Sequence, residues 1–253
     1  MTRLAGVTLV ANGVELAYPF EICIRNLAVC CEKVFVVTDV YNYDDTDKKL
    51  MQITRELPNV ETLAMKWDWS ISRGRSLAEV ANFGISVARE QGLSHVLYVQ
   101  ADEIVNPKEI KQIELGDYNI ALQRTYFYED LNSIHEGWTT YLPRLCRLTS
   151  DLQVIEDGMS MQINQVIPLL WYPAELGRSA PGARIYHYSR IGDTKKIAQR
   201  LNTLDLMFHR PEEFTLLTDY EFGKNNNFES GADSFMIIKY HGTHPPGVKE
   251  FYE

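Results

Sequence analysis

Short apolar runs punctuate the first half of the chain: Val7 to Val10, most of "KVFVVTD" (33–39), Val60 to Met65 and His95 to Val105. Apolar runs of this length, without strict alternation, read as strands buried on both faces, the pattern of a parallel sheet covered by helices. Between them lie segments with helical spacing. Tyr18 to Cys31 carries apolar residues at mixed helical intervals, Asp47 to Leu57 predicts a helix stopped by Pro58, and Ser76 to Gln91 predicts a long helix closed by Gly92. Ser76 followed by Glu79 fits a capping box at the start of that helix. "YNIALQR" predicts a fifth strand. Strands alternating with helices imply an α/β fold with a mainly parallel sheet flanked by helices. The expected organisation is one domain over 1–190, with halves at about 1–106 and 107–190, and a helical C-terminal extension over 191–253.

If the first four strands are parallel, their carboxyl ends bring Asn12, Asp39, Trp67 with Asp68, and the "QADE" stretch (Gln100, Ala101, Asp102, Glu103) to one rim. Open α/β sheets bind ligands at that rim, and two acids where a strand leaves the core suggest a bound cation. Each residue also has a plainer reading. Asn12-Gly13 is a common turn pair, Asp39 a cap for the next segment, Trp67 a core edge, and Asp102-Glu103 a solvated turn. On the long helix, Glu79, Asn82 and Ser86 share a polar face that fits either a solvated surface or a site wall.

Composition narrows the classes. The 253 residues carry a formal charge of -9, so no overall basic footprint draws nucleic acid or anionic lipid, and a nucleic-acid partner is not expected. Cys23, Cys30, Cys31 and Cys146 have no metal-ligand spacing, and adjacent Cys30 and Cys31 are poorly placed to bridge. They are expected as buried thiols in a reducing compartment. No charged leader and no apolar run of spanning length are evident, which predicts a soluble, cytoplasmic protein without a transmembrane segment.

The order "VFVVTD", "RGRSLAEVANFGISVA", "HVLYVQADEIV" resembles the nucleotide-sugar half of family 2 glycosyltransferases with the GT-A fold. The resemblance covers about the first half of the chain and implies a nucleotide-sugar donor, a glycan or other hydroxyl acceptor, inversion at the anomeric carbon, and Mn2+ or Mg2+. It implies that Asp39 contacts the nucleoside, that Asn82 lies near the diphosphate or sugar, and that Asp102 is the last acid of an Asp-x-Asp-like metal motif. Gln100 departs from that motif by replacing its first acid, so Asp102, by itself or with Glu103, would carry the metal alone or with a distant ligand. Similarity to the same group makes His187, in "ARIYHYSRIGD", a candidate metal ligand, and the acid pair Glu156-Asp157 the candidate general base for the acceptor hydroxyl. His244-Pro245, in "YHGTHPPGV", would close the site or simply tie down the tail.

Donor contacts are further expected from Arg73 or Arg75 at the helix start, and a sugar platform from among Tyr126, Tyr128, Trp138 and Trp171. Asp68 and Glu136 stand next as base candidates. Two other classes remain open: a nucleotidyltransferase, although "VANGVELAYP" lacks a glycine- and lysine-rich phosphate loop, and a noncatalytic carbohydrate-binding protein of the same fold.

Overall fold

The structure, a computed structural model, describes residues 3–69, 74–116, 119–155, 158, 160–163, 177–208, 215–220 and 237–253. Its first half alternates as the apolar runs predict: β1 (Leu4–Val10), α1 (Phe20–Cys30), β2 (Lys33–Asp39), α2 (Thr46–Glu56), β3 (Val60–Met65), α3 (Arg75–Glu90) and β4 (His95–Tyr98). These strands are parallel in the order β4-β1-β2-β3, with Val7 beside Phe35 on one side and Tyr98 on the other. Beyond β4 the sheet becomes mixed. β8 (Thr140–Arg147) pairs antiparallel with β4, and β6 (Asn119–Glu129) antiparallel with β8. The long β11 (Gly177–Ile191) then runs parallel to β6 and antiparallel to the short β5 (Glu103–Val105).

Successive strand residues face opposite sides of the sheet, so each buried strand feeds two cores. Val34, Val36, Leu97 and Val99 pack on the α1 face with Ile24 and Leu27, whereas Phe35, Val37, Val96 and Tyr98 pack on the α3 face with Val80, Ala81 and Ile85. Short pieces complete the middle of the chain: α4 (Pro107–Lys111), β7 (Ser133–His135), a 3-10 turn (Glu136–Trp138), β9 (Gln153–Ile155) and β10 (Ser160–Gln162). The segment expected as a helical extension contains α5 (Thr194–Phe208), β12 (Ile237–Lys239) and α6 (Val248–Tyr252). Among the described residues, no helix is long and apolar enough to cross a membrane.

Local expectations are corrected in two places. The stretch 95–105 is two strands, because the chain turns after Val99 and the Glu103 amide donates to the Gln100 carbonyl at 3.0 Å. The Ser76–Glu79 capping box does not form: the residue before α3 is Gly74 at φ 67, and the buried Ser76 Oγ has no partner. A left-handed entry that glycine adopts without a Cβ penalty starts the helix instead.

Helix α3 approaches the sheet most closely at Gly84, where an added Cβ would lie 2.9 Å from methyls of both Val7 and Val37. Those methyls sit on stiff β-branched side chains in paired strands and have little room to yield. Gly84→Ala is therefore expected to destabilise the protein by about 1–2 kcal/mol, overpacking outweighing the gain in helix propensity. A denaturant midpoint equal to or above that of the parent would show that the helix can back away.

Candidate active site

The carboxyl ends of β1, β3 and β4 open into a cavity of about 550 Å³, bounded on its far side by β6, β11 and α5. Sheet order sorts its wall. Toward β1 and β3 it is apolar and aromatic, with Leu9, Ala11, Trp67 and Trp69, joined by Leu77 of α3. Toward β6 and β11 it carries Arg124, Tyr126, His187, Ser189 and Arg190, and α5 adds Arg200. Gln100, Ala101 and Asp102 stand between the two ends.

The "QADE" turn is held from behind by a buried ion pair. The Glu103 side chain points into the protein, where Oε1 accepts from Arg144 Nη2 at 3.0 Å and Oε2 accepts from the Gln100 amide at 3.0 Å. Both partners of this pair are fully buried. Arg144 also donates from Nη1 to the Gly158 carbonyl at 3.1 Å and lies 4.8 Å from the Tyr98 ring centre. Two charges removed from water need this degree of satisfaction. The expectation that Glu103 helps hold a cation is thus corrected, because its carboxylate serves Arg144 and the turn.

Asp102 faces the other way. Its carboxylate Oδ2 lies 3.6 Å from His187 Nε2, and both residues line the cavity. Burial, with the neighbouring Glu103 charge, pushes the Asp102 carboxyl up to about 6. Burial, with the charges of Arg124, Arg190, Arg144 and Arg200, holds the His187 imidazole well below its usual value, so it is neutral. Its Nδ1 lies 3.3 Å from Ser189 Oγ, which is 2.6 Å from the Tyr126 hydroxyl. In the tautomer that donates Nδ1–H to Ser189 the Nε2 lone pair faces Asp102 and can serve a cation, and in the other tautomer Nε2–H faces the Asp102 carboxylate.

A carboxylate and a neutral imidazole separated by 3.6 Å fit within the span of two ligands on one divalent ion, whose bonds are about 2.0–2.2 Å long. Among the described residues no cluster of three or more His, Cys, Asp or Glu side chains could enclose an ion.

Of the sequence-predicted residues, the cavity brings together Trp67, Gln100, Ala101, Asp102 and His187. Others are spent on the framework. Asn12 Oδ1 accepts from the Tyr43 amide and its own amide donates to Asn42, joining two rim loops. Asn82 exchanges two 2.8 Å hydrogen bonds with the Val154 backbone, so its amide pins β9 to α3 and does not line the cavity. Asp39 is also behind the wall: it accepts from the Trp67 backbone amide and, at 2.9 Å, from Trp69 Nε1, thereby holding the Trp67 main chain and the Trp69 indole. Asp68 and Arg75 are exposed and outside the lining.

Within the proposed sugar platform, Tyr126 stacks on His187 at 4.4 Å between ring centres, while Tyr128 and Trp138 pack behind it and away from the cavity. His244 is a clamp rather than a closing residue. Its Nε2 pairs with the Leu131 carbonyl at 2.9 Å, leaving Nδ1 to accept from the Tyr188 hydroxyl at 2.9 Å. Glu156, Asp157, Arg73 and Trp171 lie outside the described residues. Gly158, next after the acid pair, accepts from Arg144 at its carbonyl, and a Cβ added there would meet Tyr98, Leu77 and Gln100.

The sequence reading missed Trp69, Arg124, Ser189, Arg190 and Arg200. Ser189 and Arg190 stand in the same stretch as His187, where strand alternation puts His187 and Ser189 on one face, and Arg124 ends the fifth-strand stretch "YNIALQR".

No protein-family model matches the chain, and no curated protein matches it in sequence. Among solved structures it is similar to S. aureus TarS 1–349 in complex with UDP-GlcNAc, with a TM-score of 0.45 at 14% identity over 81% of this chain and 65% of that one. The TarS 1–349 structure gives 0.40 at 16% identity over 58% and 47%, and its complex with UDP 0.36 at 17% over 51% and 37%. The chain thus spans less than two thirds of the length of each of these structures. At these values they assign no function to it.

Adjacent acids of the turn are expected to respond oppositely to neutralisation. The Asp102 carboxyl is raised from 3.8 to about 6, so the stability associated with its protonated form is complete below pH ~4 and lost as pH rises through about 6. In metal-free buffer at pH 8, Asp102→Asn should stabilise by about 2–3 kcal/mol, an advantage that vanishes at pH ~4. Glu103→Gln leaves Arg144 buried without its counter-charge and should cost about 3 kcal/mol or more. Equal thermal midpoints for the three proteins across that pH range would contradict both assignments.

Proposed function

We propose that this chain transfers a sugar from a nucleotide-sugar donor to a hydroxyl acceptor, in a reaction that depends on Mn2+ or Mg2+ and inverts the anomeric centre. The observation that carries the reading is the meeting of Asp102 with the neutral His187 in a cavity at the carboxyl ends of parallel strands. It agrees with the family 2 glycosyltransferase resemblance of the sequence, in which Asp102 is the last acid of the metal motif. Asp102 and His187 would hold the cation, which when bound supplies Lewis-acid stabilisation to the leaving diphosphate.

The remaining roles belong to the chain's own residues. The apolar end, where Asp39 holds the Trp67 main chain and the Trp69 indole, offers flat surface to a nucleoside or sugar ring. Gln100, with an amide where the resemblance expects an acid, offers the donor a neutral hydrogen-bonding group. Glu156 or Asp157 takes the acceptor proton in this reading, and Gly158, held at its carbonyl by Arg144, links the segment that follows them to the "QADE" turn. An acid there raises the fraction of acceptor oxygen able to attack as the glycosidic bond to the diphosphate breaks.

A thermal-shift panel of nucleotide-sugars with and without Mn2+ tests the donor assignment. A cognate donor at a hundredfold excess over its dissociation constant should add about 2.7 kcal/mol in the presence of Mn2+. The Mn2+-dependent part should disappear in Asp102→Asn and in His187→Ala. If no nucleotide-sugar stabilises the parent protein, the transferase reading fails, and if EDTA leaves donor affinity unchanged, the metal assignment fails.

The base is tested by turnover. Replacing the true base with its amide, Asp157→Asn or Glu156→Gln, should lower kcat by about 10²- to 10⁴-fold with donor affinity nearly unchanged. Near-normal rates in both variants would move the base to another residue.

A further inference from the structure

Arg200 is a buried cation that forms no ion pair with a carboxylate among the described residues. It lies on α5, is 4% exposed and lines the cavity. Its Nη1 donates to the Ser189 carbonyl at 3.0 Å and the Tyr188 carbonyl at 3.5 Å, and Nη2 to the Ile191 carbonyl at 3.2 Å. Its Nε has no partner, and among the described residues no carboxylate lies within ion-pair distance of it. Arg144, the other deeply buried arginine near the turn, has Glu103 at 3.0 Å.

A guanidinium is always charged, and neutral carbonyls satisfy its hydrogens without cancelling its charge. Leaving such a charge in a site shielded from water costs free energy that an anion would recover. Tyr18, whose ring centre is 5.7 Å from the guanidinium carbon, adds only a weak attraction. The bonds to β11 carbonyls fix the fork in place, so little entropy remains to be lost when a ligand arrives. Asp102 and Asp205 share the cavity wall, but among the described residues neither is in ion-pair contact with Arg200, and the cavity is where a ligand would supply a direct counter-charge.

We infer that Arg200 binds an oxyanion of the ligand, a phosphate or a carboxylate, and that this binding does not require a divalent cation. The inference deepens the reading of the cavity above and rests on it only in taking the cavity as the ligand site. It gives the segment after residue 190 a direct part in binding, through a helix otherwise packed on a small cluster of Ile197, Ala198, Leu201 and Tyr220. The oxyanion can come from the donor's diphosphate or from an acidic group on the acceptor.

Inorganic pyrophosphate in EDTA is the probe. Calorimetry on the full chain should show one site, weakened about 10- to 100-fold in Arg200→Met, which keeps the aliphatic stem, and less in Arg200→Lys, which keeps the charge. Arg25→Met, which removes a half-exposed cation outside the cavity lining, controls for loss of general positive charge and should bind like the parent. Because the β11 carbonyls would lose their donor in Arg200→Met, hydrogen exchange on the parent protein provides a second reading. Pyrophosphate should slow exchange in 188–191 and 194–208. No binding by the parent in EDTA, unchanged affinity in Arg200→Met, or protection that bypasses both segments would each overturn the inference. Competition by a nucleoside diphosphate identifies the anion as the donor's, whereas simultaneous binding of both identifies it as an acceptor group. Pyrophosphate binding with no response to any nucleotide-sugar would retain the oxyanion site and reject the transferase reading.

Discussion

The ion pair between Glu103 and Arg144 fixes where everything else at the cavity can stand. Each partner is fully buried, so neither can be left alone without a large desolvation penalty. Glu103 therefore must point inward, and its second oxygen ties down the Gln100 amide. With the turn drawn shut from behind, the residue before Glu103 is presented to the opposite side. Asp102 reaches the cavity because its neighbour is committed to the core. The same guanidinium holds the Gly158 carbonyl, so one buried charge links the end of β4 to the segment that follows the acid pair 156–157.

Around this anchor the cavity is electrostatically unlike the rest of the molecule. The whole chain carries a formal charge of -9, yet Arg124, Arg190 and Arg200 share the cavity wall with Asp102 and Asp205. Burial, reinforced by the arginines, keeps His187 neutral, and Arg200 and Arg124 soften the burial cost that raises the Asp102 carboxyl. An acid held above its ordinary value and an imidazole held below it are stability given up by the apo protein, a pattern that accompanies binding and catalytic sites. The opposite end, built on Trp67 and Trp69, is apolar, so the cavity can accept a ligand with one charged and one flat, weakly polar part.

The carboxyl-end rim was legible because its causes are local. A strand buried on both faces must be a nearly continuous apolar run, and the residue at which that run stops is where the chain leaves the sheet. Hence "KVFVVTD" and Val60 to Met65 match β2 and β3 residue for residue, and Asp102 and Trp67 lie at the cavity as their strand ends require. Asn82 shows the boundary of such reasoning. Helical spacing placed it on a polar face, but its partner is the backbone of Val154, 72 residues away.

What the sequence by itself determined is the alternation of strands and helices, the parallel half of the sheet, and the place of the "QADE" turn at the end of β4. Only the tertiary structure decided which polar residues serve a ligand and which serve the framework. It turned Glu103 to Arg144, set Asp39 behind two tryptophans, gave Asn12 to a loop junction, and gathered Arg124, Arg190 and Arg200 from β6, β11 and α5. The physical reason is that hydrophobic periodicity is a property of neighbouring residues, whereas the partner of a polar group is whatever backbone or charge the completed fold brings within hydrogen-bond distance.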